Sequence, residues 1–129
     1  MTIKMALCEV LAQFPQITFA VLFGSLATGK ERPDSDLDIA VGAKTPLTSV
    51  ERIALIQALA EKIGRPVDLI DLTSVGEPLL GQIVQHGQRI FGSDTLFAHL
   101  IHRHLMEQAD FVPYQNRILL ERRMAWIGK

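Results

Sequence analysis

Asp36 and Asp38 stand two apart in the run FGSLATGKERPDSDLDIAV, residues 23–41, at the head of a segment that otherwise reads as a buried strand. Burying a carboxylate is costly unless something pairs with it. Alternate residues of a strand share a face, so these two would also repel each other. Cations held between them remove both costs. Mg²⁺ takes hard oxygen ligands in octahedral geometry, and carboxylates that bridge such ions suit phosphoryl and nucleotidyl transfer, where charge builds on the attacking and leaving oxygens. Just upstream, Gly24-Ser25 follows the apolar run ITFAVLF, and Gly29 follows four residues later. Gly24 lets backbone come close to a phosphate. Ser25 adds a hydroxyl beside a turn whose N–H groups can form an anion nest, Gly29 allows the chain to turn back, and Ser35 adjoins the first aspartate.

Two other readings of these residues fail on position. Asp34-x-Asp36-x-Asp38 begins like a calcium loop, but the glycine and glutamate that loop needs at its sixth and twelfth positions are Ile39 and Thr45. Gly24-x-x-x-x-Gly29-Lys30 matches a P-loop up to its last position, where Glu31 replaces the Ser or Thr that holds magnesium. Pro33 then interrupts the helix a P-loop requires, and a carboxylate sits where phosphate would. A lone aspartate pair on an edge strand is surface decoration more often than a site. Joined to Gly24, Ser25, Gly29 and Ser35, it is read here as a site. Asp34 and Glu31 read as loop surface, and Lys30 and Arg32 as solvated cations within reach of a triphosphate.

The whole run, Gly24-Ser25-x-x-x-Gly29 and then Ser35-Asp36-x-Asp38, resembles the signature of the polymerase-β-like nucleotidyltransferases. Chain length and the order of elements resemble their minimal nucleotidyltransferase (MNT) group, antitoxins paired with HEPN-domain toxins. The resemblance implies a nucleotidyltransferase fold in which Gly24, Ser25, Gly29 and Ser35 bind the nucleotide and Asp36 and Asp38 hold two Mg²⁺ ions. Such enzymes use a third carboxylate on a neighbouring strand. Asp68, in the middle of PVDLIDL, fits that place and would hold the metal of the attacking hydroxyl and help deprotonate it. Asp71 has the opposite parity and reads as a strand-end or turn residue. The activity implied is transfer of AMP from ATP to a tyrosine of a cognate HEPN ribonuclease toxin, which neutralises it. Two alternatives stand beside it: a non-catalytic antitoxin that blocks the toxin by forming a complex, and a nucleotidyltransferase acting on a small molecule or RNA. Aminoglycoside and tRNA nucleotidyltransferases share the signature but usually carry additional substrate domains.

Elements to position these residues can be read along the chain. Residues 3–13 form an amphipathic pattern that stops before Pro15, and residues 17–23 are a β-branched and aromatic strand. Residues 25–29 make a turn or one short helical turn, and 30–35 a polar loop. Residues 36–42 alternate, with Asp36, Asp38 and Ala40 on one face and Leu37, Ile39 and Val41 on the other. Thr48 and Glu51 have capping-box spacing ahead of the stripe Ile53, Ile56, Leu59, Ala60, Ile63, which Gly64 and Pro66 end. A strand over 66–72, a helix from Pro78 to Gly87, an edge strand over 88–91 and a helical region opened by Ser93 complete the order, with a kink or break at Pro113. The predicted class is α/β (α+β): a small mixed β-sheet flanked by helices, one nucleotidyltransferase domain over 1–129 with 93–129 as a C-terminal helical extension.

The 129 residues suggest one domain. A hydrophobic fraction of 48% and mean hydropathy of +0.21 exclude a disordered chain and hint at a surface covered by a partner. A net charge of −1 gives no general attraction to nucleic acid, so direct DNA binding is not expected. No secretory signal and no membrane span are read, and the expected location is cytoplasmic. Cys8, the single cysteine, reads as core. His99, His102 and His104 lack a third ligand at helical spacing and read as solvent- or partner-facing. Arg117, Arg122 and Arg123, interleaved with Leu119, Leu120, Met124 and Trp126, read as a protein interface rather than an RNA-binding patch.

Overall fold

The computed structural model describes residues 2–29 and 35–109. Lys30, Glu31, Arg32, Pro33 and Asp34, the expected kink at Pro113 and the arginine-rich segment after it lie outside those residues.

The two classes of periodicity separate cleanly. Helix α1 (Ile3–Leu11) starts on Thr2, whose side chain accepts a hydrogen bond from the Met5 N–H. Strand β1 (Ile17–Phe23) leads through Gly24 into the single-turn helix α2 (Ser25–Thr28). Strand β2 (Leu37–Ala43) begins one residue later than its alternation predicts, so Asp36 lies just ahead of it. Helix α3 (Ser49–Ile63) has the full capping box, with Thr48 and Glu51 each bonding the other's backbone, and ends on Gly64 in the left-handed conformation. Strand β3 (Val67–Asp71), helix α4 (Leu79–His86) and strand β4 (Gln88–Phe91) follow. A helix over residues 94–109, α5, begins where the Ser93 hydroxyl accepts from the Leu96 N–H.

The sheet order is β3-β2-β1-β4. β1 pairs antiparallel with β2 and β4, while β2 and β3 run parallel, joined by the α3 crossover that parallel strands require. Alternation along the strands builds two cores. Ala20, Leu22, Leu37, Ile39, Val41 and Leu69 pack under α1 and α3 against Leu7, Leu11, Leu55 and Leu59. Phe19, Val21, Ala40 and Leu72 face the opposite way, under Leu80 and Ile83 of α4 and Phe97 and Leu100 of α5. A bulge between Ile17 and Phe19 shifts the parity of β1 and explains why Ile17 and Ala20 share the first core. Asp38 has the parity of Ala40 and Asp68 that of Ile70, so both carboxylates rise from the face that α4 covers.

α5 is anchored at both ends of its described length. Phe97 meets Phe19 edge to face at 6.2 Å, with the Arg89 guanidinium 5.0 Å from its ring centroid. Arg103 donates to the carbonyls of Leu72 and Val75, gripping the chain after β3. His104 corrects the expectation of three outward-facing histidines. It is buried, its Nδ1 2.5 Å from Glu77 Oε1, because its helical phase places it against α4, whereas His99 and His102 are exposed. Cys8 is half-buried against the first core, its Sγ 3.3 Å from the Ile90 carbonyl.

Candidate active site

Strand register assembles the carboxylates. Asp38 and Asp68 are direct partners in the parallel ladder, on adjacent strands and the same face. Asp36 is exposed at the mouth of β2. Its neighbourhood is tied to the rest of the fold: the Leu37 N–H donates to the Pro66 carbonyl at 2.8 Å, and Arg65 Nη1 to the Ser35 carbonyl at 3.1 Å. The half-buried Asp38 carboxyl is raised above the usual carboxylate range, first by burial, then by the negative charges of Asp68 and Asp36. Three acids thus feel one another across one end of the sheet, the situation that a divalent cation relieves.

The glycine turn closes on the same acids. Gly24 has φ +72° and ψ −154°, a backbone that side chains avoid. A Cβ there would land on Asp38 Oδ2. Ser25 opens α2, and Gly29 ends it with φ +74°. The strand β1, the turn and β2 therefore bring Gly24 beside Asp38, with Ser25 next in the chain at the start of α2 and Gly29 at the far end of the short helical turn.

Sequence reasoning missed the opposite wall. An open cleft of about 440 Å³ is lined by Phe23, Gly24 and Asp38 from the sheet side and by Gln82 and His86 from α4. Nothing in the local sequence flags Gln82 or His86 beyond their i,i+4 spacing on a helix whose Leu80, Gly81 and Ile83 are buried. Arg52 was also missed: it donates to the Leu69 carbonyl behind the site and helps keep the Asp71 carboxylate ionised. Asp71 itself sits at the end of β3, as its parity predicts, and accepts from the N–H groups of Leu47 and Thr73 and from the Thr73 hydroxyl.

Three aspartates with backbone and hydroxyl oxygens nearby are the donor chemistry of Mg²⁺ rather than of a softer metal. Among the described residues, no group of three or more His, Cys, Asp or Glu side chains is placed to hold a metal ion by itself.

Paired strand carboxylates, a tight glycine turn at the end of the preceding strand and a mixed sheet under helices define a nucleotide-transfer fold. Residues 6–96 match the family described as Polymerase beta, Nucleotidyltransferase, and the chain belongs to that family. Over 87 residues it is 39% identical to the protein adenylyltransferase MntA of Shewanella oneidensis, an alignment covering 65% of this chain and 63% of that protein, so the chain spans less than two thirds of that relative's length. Its structure resembles a chain of a toxin–antitoxin crystal structure with AMP-PNP, with a TM-score of 0.79 and 26% identity over 94% of this chain and 98% of that one. It also resembles a chain of the complex between a tri-AMPylated Shewanella oneidensis HEPN toxin and its MNT antitoxin, with a TM-score of 0.66 and 28% identity over 92% and 99% of the two chains. No described helix is long and apolar enough to cross a membrane.

Proposed function

We propose that this protein is a Mg²⁺-dependent adenylyltransferase that moves AMP from ATP to a tyrosine hydroxyl of a HEPN-domain toxin and so acts as its antitoxin, working as a single domain whose C-terminal helices dock the partner. The observation that carries the reading is the Asp38–Asp68 pairing on the sheet face that α4 covers, with Gly24 turned so that only hydrogen separates its Cα from the Asp38 carboxylate. In this reading Gly24, Ser25, Gly29 and Ser35 hold the triphosphate, and Asp36, Asp38 and Asp68 hold the metal. A Mg²⁺ ion held by these carboxylates would offset the charge that develops on the attacking and leaving oxygens. Asp68, exposed at the edge of the site, takes the proton of the acceptor hydroxyl. The acceptor oxygen forms its bond to the α-phosphorus as the bond from that phosphorus to the bridging oxygen breaks, and pyrophosphate leaves. The names of the MntA relative and of the AMPylated toxin complex support both the donor and the acceptor class.

The test is incubation with α-labelled ATP, Mg²⁺ and a cognate HEPN protein, followed by peptide mass spectrometry. AMP increments on a tyrosine peptide, lost in Asp38→Asn, are expected. Toxin neutralisation that survives Asp36→Ala with Asp38→Ala would point to antitoxicity by binding alone, and label on RNA ends or on a small molecule to a different acceptor.

A further inference from the structure

We propose that Gln82 and His86 of α4 are positioning residues that grip the nucleoside triphosphate from the side opposite the aspartates. The proposal rests on the nucleotidyltransferase reading and assigns that site a second wall. Both residues line the cleft that contains Gly24 and Asp38. They stand i,i+4, one above the other on one stripe of the helix, so both side chains address the same volume. The chemistry of the two walls is complementary. The sheet side carries acceptor-only carboxylates suited to metal, while the helix side offers an amide and an imidazole, each able to donate a hydrogen bond. A triphosphate lying between them would turn some oxygens to the metal and others to these donors.

The backing of α4 supports the role. Leu80 and Ile83 are buried in the second core against the sheet, and the Gly81 N–H donates at 3.2 Å to Glu77 Oε2, part of the buried Glu77–His104 pair. The helix is thereby fixed on the sheet, and Gln82 and His86, both exposed, are presented from a rigid element rather than a loop. Their exposure also means that truncating them leaves the core intact.

The experiment is equilibrium binding of a non-hydrolysable ATP analogue with Mg²⁺ to the full chain, alongside steady-state transfer to the HEPN partner. Gln82→Ala and His86→Ala should each weaken binding about tenfold, as expected for one hydrogen bond to a charged group, and the double variant more. KM for ATP should rise while kcat at saturating ATP stays close to that of the unchanged protein, a split that a folding defect would not give. His86→Gln, which keeps a donor, should recover part of the affinity. Analogue affinity unchanged in both single variants would overturn the proposal, as would a rise confined to KM for the acceptor, which would assign this wall to the toxin. Failure of the unsubstituted chain to bind the analogue at all would instead remove the nucleotidyltransferase reading beneath it.

Discussion

Asp38 concentrates the conflict on which the site depends. Burial and two neighbouring carboxylates raise its pKa, so the folded chain binds a proton there that the unfolded chain releases earlier. Its favourable contribution is complete below the ordinary aspartate range and is lost as pH rises through the raised value. Asp38→Asn removes that penalty. The metal-free variant should melt above the unsubstituted protein at neutral pH, with the gap closing toward pH 3, while AMP transfer falls at least a hundredfold. Calorimetry across pH and a labelled-ATP assay check the two halves separately. Gly24→Ala tests the other side of the same contact. The positive φ strains any side chain by about 1 kcal/mol or more, and the new methyl would displace the Asp38 carboxylate. Loss of both stability and ATP binding is expected, the first by thermal melting and the second by titration. These residues were legible in the sequence because glycine and aspartate are required there for local reasons, a turn and a charge. Gln82 and His86 were not, because neither type is unusual on a helix and only the folding of α4 over the sheet brings them to Asp38.

Elements whose ends carry their own chemistry could be placed closely. β1 was bounded by its β-branched run and Gly24, and α3 by Thr48, Glu51 and Gly64, all of which the structure reproduces. Long-range choices were less readable. Which of three closely spaced histidines turns inward depends on the phase of α5 against α4, and only tertiary packing fixes it. Gly81 shows what that contact requires. By helix propensity, replacing a helical glycine with alanine should stabilise by up to about 1 kcal/mol. Here the added Cβ would lie 2.6 Å from His104 Cε1 and 2.9 Å from Glu77 Oε2, so the sign reverses. Gly81→Ala should lower the melting temperature and weaken ATP binding with it, since Gln82 and His86 ride on the same helix. Glu77→Ala, which takes the hydrogen-bond partner from the buried His104 Nδ1, should cost about 1–3 kcal/mol. Asp71 is a milder case at the end of β3. Burial works against its charge, but hydrogen bonds from Thr73 and Leu47 and the Arg52 charge prevail and lower its pKa. Asp71→Ala should cost about 1–2 kcal/mol near neutrality, a difference that narrows as acid protonates the native carboxylate. Denaturant titrations at two pH values measure it.

At the scale of the whole molecule, the sheet separates two tasks. Its first core, under α1 and α3, holds the strands in register, and its second joins the catalytic end to α5 through α4. The inner stripe of α5 is spent on that join: Phe97 and Leu100 pack on the second core, and Arg103 and His104 hold the chain after β3 and Glu77. Its outer side leaves Ile101 38% exposed and Leu105 and Met106 each 55% exposed. Ile101 and Leu105 are one helical turn apart and form an apolar stripe, with Met106 about a quarter turn round the helix from Leu105. With a net charge of −1 the protein has little general attraction for RNA, and a stripe of this kind suits the apolar centre of a protein interface. If the HEPN toxin is the acceptor, this stripe is where binding energy is available to hold its tyrosine at high effective concentration near Asp68. Leu105→Glu places a charge in the middle of the stripe while touching neither core. Affinity for the toxin, measured by titration calorimetry, should fall at least tenfold, and affinity for an ATP analogue should be unchanged. The transfer rate should recover at high toxin concentration, because the variant removes docking and leaves Asp36, Asp38, Asp68 and the glycine turn in place. Equal toxin affinity in Leu105→Glu and the unsubstituted protein would move the docking surface off α5.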